Sequence, residues 1–479
     1  MKTESRIDRS DLFIGGAFVD AESTARFTAV NPATEQIVGS VPDGNEADVR
    51  RAVAAARRAF AQWRTTTGAE RATVLNGIAD GIAEHADELS ALVARQNGAP
   101  RWWVEQDVRI AEMVYRNAAA QAAELRSEEI LPGGEYGNLI CRESIGVVAA
   151  IAPWNSPTAL MGMKAAAALA AGCTVVVKPA PETSLDSYLL SEICRKADVP
   201  AGVVNVVTGG AGTGAALVAH PGIDKVSFTG STEAGKAIAT TCAQALKPVN
   251  AELGGKSAAV LLDDADLETF TDAIPWRCLP YSGQVCHSIT RIIVPRTLRD
   301  QVLEAAAAKL ASIPFGDPTD PATIMGPLAT AGQRDRVEGY LRSGREQGAR
   351  LVTGGGRAEA FGTGFYITPT IFSDVDPSMR IFSEEIFGPV LTVSAYDTED
   401  EAVALHDATD FGLSGAVFSR DIDRASAFAR RLATGEVLIN GRHGAPDVNL
   451  VRSFYKHSSL GDGMDLVSGY LLTKSIPRP

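Results

Sequence analysis

IGVVAAI at Ile145–Ile151, TVVV at Thr174–Val177, VVNVV at Val203–Val207 and KVSF at Lys225–Phe228 decide the fold. Each run is short and dominated by apolar residues. Between them lie stretches with helical spacing, at Thr158–Ala171, Leu185–Ala197 and Gly212–Ala219. A strand covered on both faces has no wet side and reads as a continuous apolar run. Such runs alternating with helices predict βαβ units and a parallel sheet. A second series follows, with strands at Ala258–Leu262 and Thr290–Val294 and helices at Leu298–Ser312 and Ala329–Gln347. The segment Ala251–Lys256 (AELGGK) links the two series. Upstream, helical spacing predicts helices from Asn45 to Trp63, from Ala69 to Asn97 and from Trp102 to Leu125. The second of these stops at Gly98 and Pro100. The expected class is α/β, and ligands in such sheets gather at the carboxyl ends of strands.

Composition narrows the function. The chain has 479 residues, enough for several domains. Its 58 acidic and 45 basic residues give a net charge of −13, which argues against a nucleic-acid partner. With 22% charged and 45% hydrophobic residues, it is neither disordered nor fibrous. Six cysteines are too few for a disulfide scaffold. No two are spaced C-x-x-C, so no metal site is expected. The stretch Met1–Asp11 lacks the apolar core of a signal peptide. The longest apolar run, Ala165–Val177, is too short to span a bilayer. The expectation is a soluble cytoplasmic protein with no membrane partner.

Several segments carry residues with chemical potential. Gly210, Gly212 and Ala215 satisfy G-x-G-x-x-A after a strand, but no acidic residue follows at a strand end about 20 residues on, so the plainer reading is a tight βα turn. At the next strand end, Gly230 and Ser231 open a helix whose backbone N–H groups could meet an anion; Ser231 is equally a helix cap. Cys286, in YSGQVCH from Tyr281 to His287, lies in a polar break before an apolar strand. A thiol needs a base or a positive environment to become a nucleophile. Adjacent side chains in extended backbone point apart, which disfavours His287. Glu252, before Gly254 and Gly255 and beside apolar Ala251 and Leu253, suits a general base. Asn155, in PWNSP from Pro153, could donate to a developing oxyanion or serve as a turn residue. The other five cysteines read as small buried hydrophobes.

Taken in order, PWNSP at Pro153, VVKPAPET at Val176, FTGSTEAGK at Phe228, ELGGKS at Glu252, SGQVC at Ser282 and EEIFGPV at Glu384 resemble the NAD(P)-dependent aldehyde dehydrogenase superfamily. The resemblance covers nearly the whole chain. It implies two parallel-sheet α/β domains, a Rossmann-like cofactor domain (1–123 and 145–253) and a catalytic domain (254–448). A small β oligomerisation arm with the C-terminal tail (124–144 and 449–479) completes the fold, in a homodimer or homotetramer. It further implies that Cys286 is the nucleophile forming a thiohemiacetal and then a thioester. Asn155 and the Cys286 N–H would hold the oxyanion, and Glu252 would activate the hydrolytic water. For the cofactor, Lys178 resembles the contact to the adenosine ribose, Ser231 after Gly230 a pyrophosphate ligand, and Trp154 a backbone contact. Glu385 resembles the carboxylate on the nicotinamide ribose, and Phe387 the ring beside the nicotinamide.

Departures from the family pattern refine these expectations. A Glu common three residues after the lysine in NAD-preferring members is Pro181 here, followed by Glu182, which leans to NAD with NADP possible. Ser156, Met163 and Arg452 stand where aromatics often line the substrate tunnel. A quaternary ammonium wants an aromatic cage, so these residues argue against betaine aldehyde; Arg452 could meet a polar or anionic tail or be solvated. Alternatives to the hydrolytic enzyme are a CoA-acylating relative, disfavoured by Glu252, a thiol hydrolase using Cys286 without cofactor, and a non-catalytic relative.

Overall fold

The computed structural model describes residues 6–133, 136–441, 453–461 and 465–478. Two helices at the N-terminal end, α1 (Glu46–Trp63) and α2 (Gly68–Glu84), both open with capping boxes, Asn45 with Asp48 and Thr67 with Glu70. The expected helix over Ala69–Asn97 is two helices. It breaks at His85, where α3 (Ala86–Asn97) begins with Asp87 and Glu88 against its positive end. Gly98 ends α3 in the left-handed conformation, and α4 (Arg101–Glu124) follows.

The first sheet has eight strands. Five are parallel, in the spatial order Val249–Glu252, Lys225–Thr229, Val147–Ile151, Thr174–Lys178 and Val204–Val206. The central strands are wholly buried because helices cover both faces, among them α5 (Pro157–Ala170), α6 (Asp186–Lys196), α7 (Ala211–Ala219) and α8 (Thr232–Gln244). The chain leaves the central strand Val147–Ile151 toward one side and returns to the other, creating a switch point at its carboxyl end. The sheet is not purely parallel. A hairpin of Asp11–Ile14 and Ala17–Asp20 adds antiparallel strands at one edge, and Ser459–Leu460 adds one at the other. The sequence reading had no strand at either place, since four-residue and two-residue runs carry too little period to register.

The second sheet has seven strands, six of them parallel, with Arg350–Thr353 antiparallel at one edge. Residues 252–256 run from the carboxyl end of Val249–Glu252 to the amino end of Ser257–Leu261. A third sheet of Glu128–Leu131, Asn138–Ser144 and Leu471–Pro477 stands apart and exposes Ile130, Leu131, Leu472 and Ile476.

The C-terminal segment is locked to the first sheet by Asp465. Its Oδ2 accepts from Lys164 Nζ at 3.1 Å, and its Oδ1 from the Ser227 hydroxyl at 2.7 Å and Asn250 Nδ2 at 3.1 Å. The Tyr470 hydroxyl donates as well, and all these groups are buried. No helix among the described residues is long and apolar enough to cross a membrane.

Candidate active site

Strand register gathers the first group of residues. Ile151 is opposite Lys178 on one side and Phe228 on the other, and Thr229 is opposite Glu252. Trp154 and Asn155, Lys178, Gly230 and Ser231, and Glu252 therefore leave one edge of one sheet. The second sheet contributes residues that precede its strands: Cys286 before Ile289–Pro295, and Glu385 and Phe387 before Val390–Tyr396. The linker 252–256 holds the two edges together.

Two glycines bring the segments into contact. A Cβ on Gly255 would lie 2.5 Å from the Cys286 carbonyl oxygen, and one on Gly254 would lie 2.5 Å from Glu385 Oε2. Any side chain at either position would force the thiol loop or the carboxylate away. The thiol loop is itself tightly built. Tyr281, Ser282 and Gly283 all have positive φ (46°, 57° and 72°), a conformation that costs non-glycine residues energy unless surroundings impose it. Here the Tyr281 hydroxyl donates to the Asn97 carbonyl, and the Ser282 hydroxyl to Gly326 O at 2.6 Å. Cys286 is half-buried and His287 exposed, and the two lie in a turn before the strand rather than in the extended backbone the sequence suggested.

Asn155 is 6% exposed, and its Nδ2 donates to the Gln284 carbonyl at 3.1 Å. An amide has two such hydrogens, so one remains for an oxyanion at the adjacent Cys286. Gln284 was unmarked by sequence reasoning beyond its place in the motif. Its side chain takes the Ala329 N–H at 2.9 Å and donates to Tyr281 O at 3.2 Å, fixing the carbonyl that aligns Asn155. Glu252 is half-buried. Its carbonyl accepts the Gly230 N–H at 3.1 Å, and the next residue, Leu253, donates to Ser458 O at 2.9 Å.

Around them are donors and acceptors that fit a dinucleotide. Lys178 is 6% exposed and gives two of its three ammonium hydrogens to Pro179 O (2.8 Å) and Gly209 O (2.6 Å), leaving one for a ribose hydroxyl. Burial lowers its pKa to about 8, with Glu182 and Asp43 opposing. Ser231 is exposed and caps α8 through the Ala234 N–H. Glu385 Oε1 accepts the Gly255 N–H at 3.1 Å, while Oε2 has no donor among the described residues. Burial raises the Glu385 pKa, as expected of a carboxylate short of donors. Its turn is held by Arg336, which donates to Glu385 O at 2.7 Å, and by Gln333, which donates to Phe387 O at 2.7 Å. The rings of Phe387 and Trp154 meet edge-on with centroids 5.4 Å apart. Lys256, also unremarked in the sequence, is 2% exposed; its Nζ makes no hydrogen bond, and burial brings it down to about 7.

Other sequence expectations divide. The Gly210–Ala215 turn opens α7, but the Asp43 carboxylate already takes the Gly210 N–H at 3.0 Å and the Thr213 hydroxyl at 3.3 Å. An acid seated on that terminus opposes a phosphate, which favours the plainer reading of a structural turn. Of the remaining cysteines, Cys173, Cys194, Cys242 and Cys278 are buried, and burial pushes the Cys194 and Cys278 thiols up to about 12. Cys141 departs from the expectation: it is half-buried, because its strand belongs to the thin third sheet. Ser156 and Met163 are half-buried, whereas Arg452 lies outside the described residues.

Residues 18–476 match the Aldehyde dehydrogenase family. Similar proteins include a geranial dehydrogenase of Castellaniella defragrans, 44% identical over 98% of this chain and 99% of its own. A chloroplastic betaine aldehyde dehydrogenase of Beta vulgaris is 36% identical over 91% and 89%. Among solved structures, a Mycobacterium tuberculosis aldehyde dehydrogenase complexed with NAD+ superposes with a TM-score of 0.95 at 39% identity, covering 99% of both chains. A Pseudomonas syringae aldehyde dehydrogenase variant complexed with NAD+ and octanal gives 0.93 at 40% identity, covering 98% of this chain and 96% of that one.

Proposed function

The chain belongs to the aldehyde dehydrogenase family, and from that premise we propose that it oxidises an apolar aldehyde to the carboxylic acid with NAD, using Cys286 as nucleophile. The observation that carries this reading is the contact of Gly255 with the Cys286 carbonyl. It joins the thiol to the linker of Glu252, across from the Asn155 amide.

In this mechanism the Cys286 thiolate adds to the aldehyde carbon. The oxyanion receives the second Asn155 amide hydrogen and the Cys286 N–H. Bound NAD would supply the hydride acceptor, and loss of hydride from the Cys286 adduct would leave the acyl group on the sulfur as a thioester. Glu252 takes a proton from the water that attacks the acyl carbon, and the acid departs as Cys286 is released. Lys178, Ser231 and Gly230, the Trp154 backbone, Glu385 and Phe387 hold the dinucleotide. Glu182 supports NAD over NADP: although displaced by Pro181, its charge still acts on Lys178 and opposes a 2′-phosphate.

Ser156 and Met163 in place of aromatics disfavour a quaternary ammonium and suit an uncharged chain. The geranial dehydrogenase similarity and the octanal-bound structure point the same way. The exposed apolar residues of the third sheet support a homodimer or homotetramer. Cysteines outside disulfide bonds, Cys286 among them, suit a reducing cytoplasm.

The test is NADH formation with a panel of octanal, geranial, betaine aldehyde and carboxylated semialdehydes, each with and without CoA. Octanal and geranial are expected to be oxidised without CoA. Cys286→Ser should abolish turnover, and Glu252→Gln should allow a burst and then stall. Activity in Cys286→Ser, or strict dependence on CoA, overturns the reading.

A further inference from the structure

The corner that carries Asn155 is gripped from behind by the chain around the start of α4. Asn97 Nδ2 donates to Trp154 O at 3.1 Å, and Trp103 Nε1 donates to Asn155 O at 3.2 Å. One turn further along α4, Asp107 receives the Thr158 N–H on Oδ2 and the Ala159 N–H on Oδ1, both at 3.2 Å. These are free first-turn donors of α5. The helix's own N-cap, Ser156, makes no capping bond, and Pro157 follows at once. The cap has therefore been moved to another helix. It is also a carboxyl group, whose two oxygens take two donors where a serine cap would take one. Asp107 is 2% exposed and has no Lys or Arg within 4 Å among the described residues. Desolvation works against its charged form, raising its pKa to about 7 although the two N–H groups and the Ser156 and Thr158 hydroxyls oppose the rise.

We propose that Asp107 is a positioning residue for the Asn155 amide: with Trp103, it clamps the Trp154–Ala159 corner so that the amide hydrogen not given to Gln284 stays aimed at the oxyanion. The idea rests on the reading of Asn155 as an oxyanion donor. It assigns to α4, which carries none of the reacting groups, control over how well the oxyanion is held. An isosteric Asn at 107 would accept one N–H and turn its own NH2 against the other, tilting the corner while keeping its volume.

A double-mutant cycle tests this, with single-turnover and steady-state rates for wild type, Asp107→Asn, Asn155→Ala and the double variant. Asn155→Ala should lose about 100- to 1,000-fold in kcat. Asp107→Asn should lose about 10-fold in kcat, with KM for NAD within about twofold, since a small misplacement of a donor costs transition-state binding first. In the Asn155→Ala background the Asp107 change should cost less than about twofold, because nothing is left to aim. An equal loss in both backgrounds, or unchanged kcat in Asp107→Asn, overturns the proposal. Full activity of Asn155→Ala instead overturns the reading of Asn155, a separate failure. If Asp107→Asn does not fold, Trp103→Phe, which removes the N–H to Asn155 O together with part of the indole's packing, is read through the same cycle.

Discussion

Two deeply set carboxylates in this protein have opposite surroundings. Asp465 is met by an ammonium, an amide and two hydroxyls, and both its oxygens are used. Glu385 receives a single backbone N–H on one oxygen, and its other oxygen has no donor among the described residues. The charged form of Asp465 is favoured by Lys164 despite burial, and its pKa is lowered; that of Glu385 is raised by burial. A saturated anion is finished structure. An unsaturated one near an ammonium with no hydrogen bond, Lys256, is where the proposed function seats the cofactor.

Breaking the saturated site should have the larger effect on stability. Asp465→Asn leaves Lys164 buried without a counter-charge. Loss of one partner of such a pair costs about 3–5 kcal/mol, read as a lower urea midpoint for the first sheet. A midpoint unchanged from wild type would mean that the tail contributes nothing to that sheet, and the comparison would collapse.

At the unsaturated site the sign should reverse. Glu385→Gln without cofactor should be as stable as wild type, since an ill-solvated charge is removed. The loss should appear on binding. A hydrogen bond to a charged group is worth about 1.5–3 kcal/mol, so kcat/KM for NAD should fall about 10- to 100-fold. The thermal shift produced by saturating NAD should shrink with it. A variant that unfolds yet binds NAD normally when folded would make Glu385 structural after all. The pH dependence of apo stability carries the same sign. A raised carboxyl pKa adds stability below its unfolded value of 4.5 that is lost as pH rises through the folded value. Glu385→Gln should flatten that fall.

How much of this could be read in the sequence depended on where the decisive atoms lie. The parallel strands were legible because burial on both faces leaves Val147–Ile151 wholly apolar and Thr174–Val177 apolar but for Thr174, whose hydroxyl is used on Ala56 O. Cys286, Glu252 and Asn155 stood out by residue type beside glycines and turns. The break at His85 was not legible, because one residue out of helical conformation does not disturb the apolar spacing on either side. Gln284, Asp107 and Lys256 were missed for a different reason. Their importance comes from partners 129, 51 and more residues away, and no local pattern encodes a contact made by the fold.

Lys178 offers a smaller, pH-dependent test of the proposed cofactor site. Its pKa of about 8 means that the ammonium is present below that pH and is lost above it. A ribose hydroxyl can bond to either form, whereas a 2′-phosphate gains from the charge. Any NADP-dependent rate should therefore fall a few-fold relative to the NAD rate as pH rises from about 7 to 9, scaling with the charged fraction. A constant ratio across that range would remove Lys178 from cofactor discrimination.

The smallest effect expected is the one most instructive about motifs. The turn Gly210–Ala215 carries the glycine spacing, and α8 does not, yet Asp43 fills the first terminus while Ser231 leaves the second exposed. Asp43→Asn keeps an oxygen for the Gly210 N–H, so it should leave KM for NAD within about twofold. Ser231→Ala loses a cap worth about 1 kcal/mol and should raise that KM instead. If the ranking is inverted, the glycine-rich turn is where the pyrophosphate sits, and Asp43 would have to move aside for it. Spacing of glycines shows that backbone can approach closely; whether an anion is welcome depends on the charge already seated at the helix end.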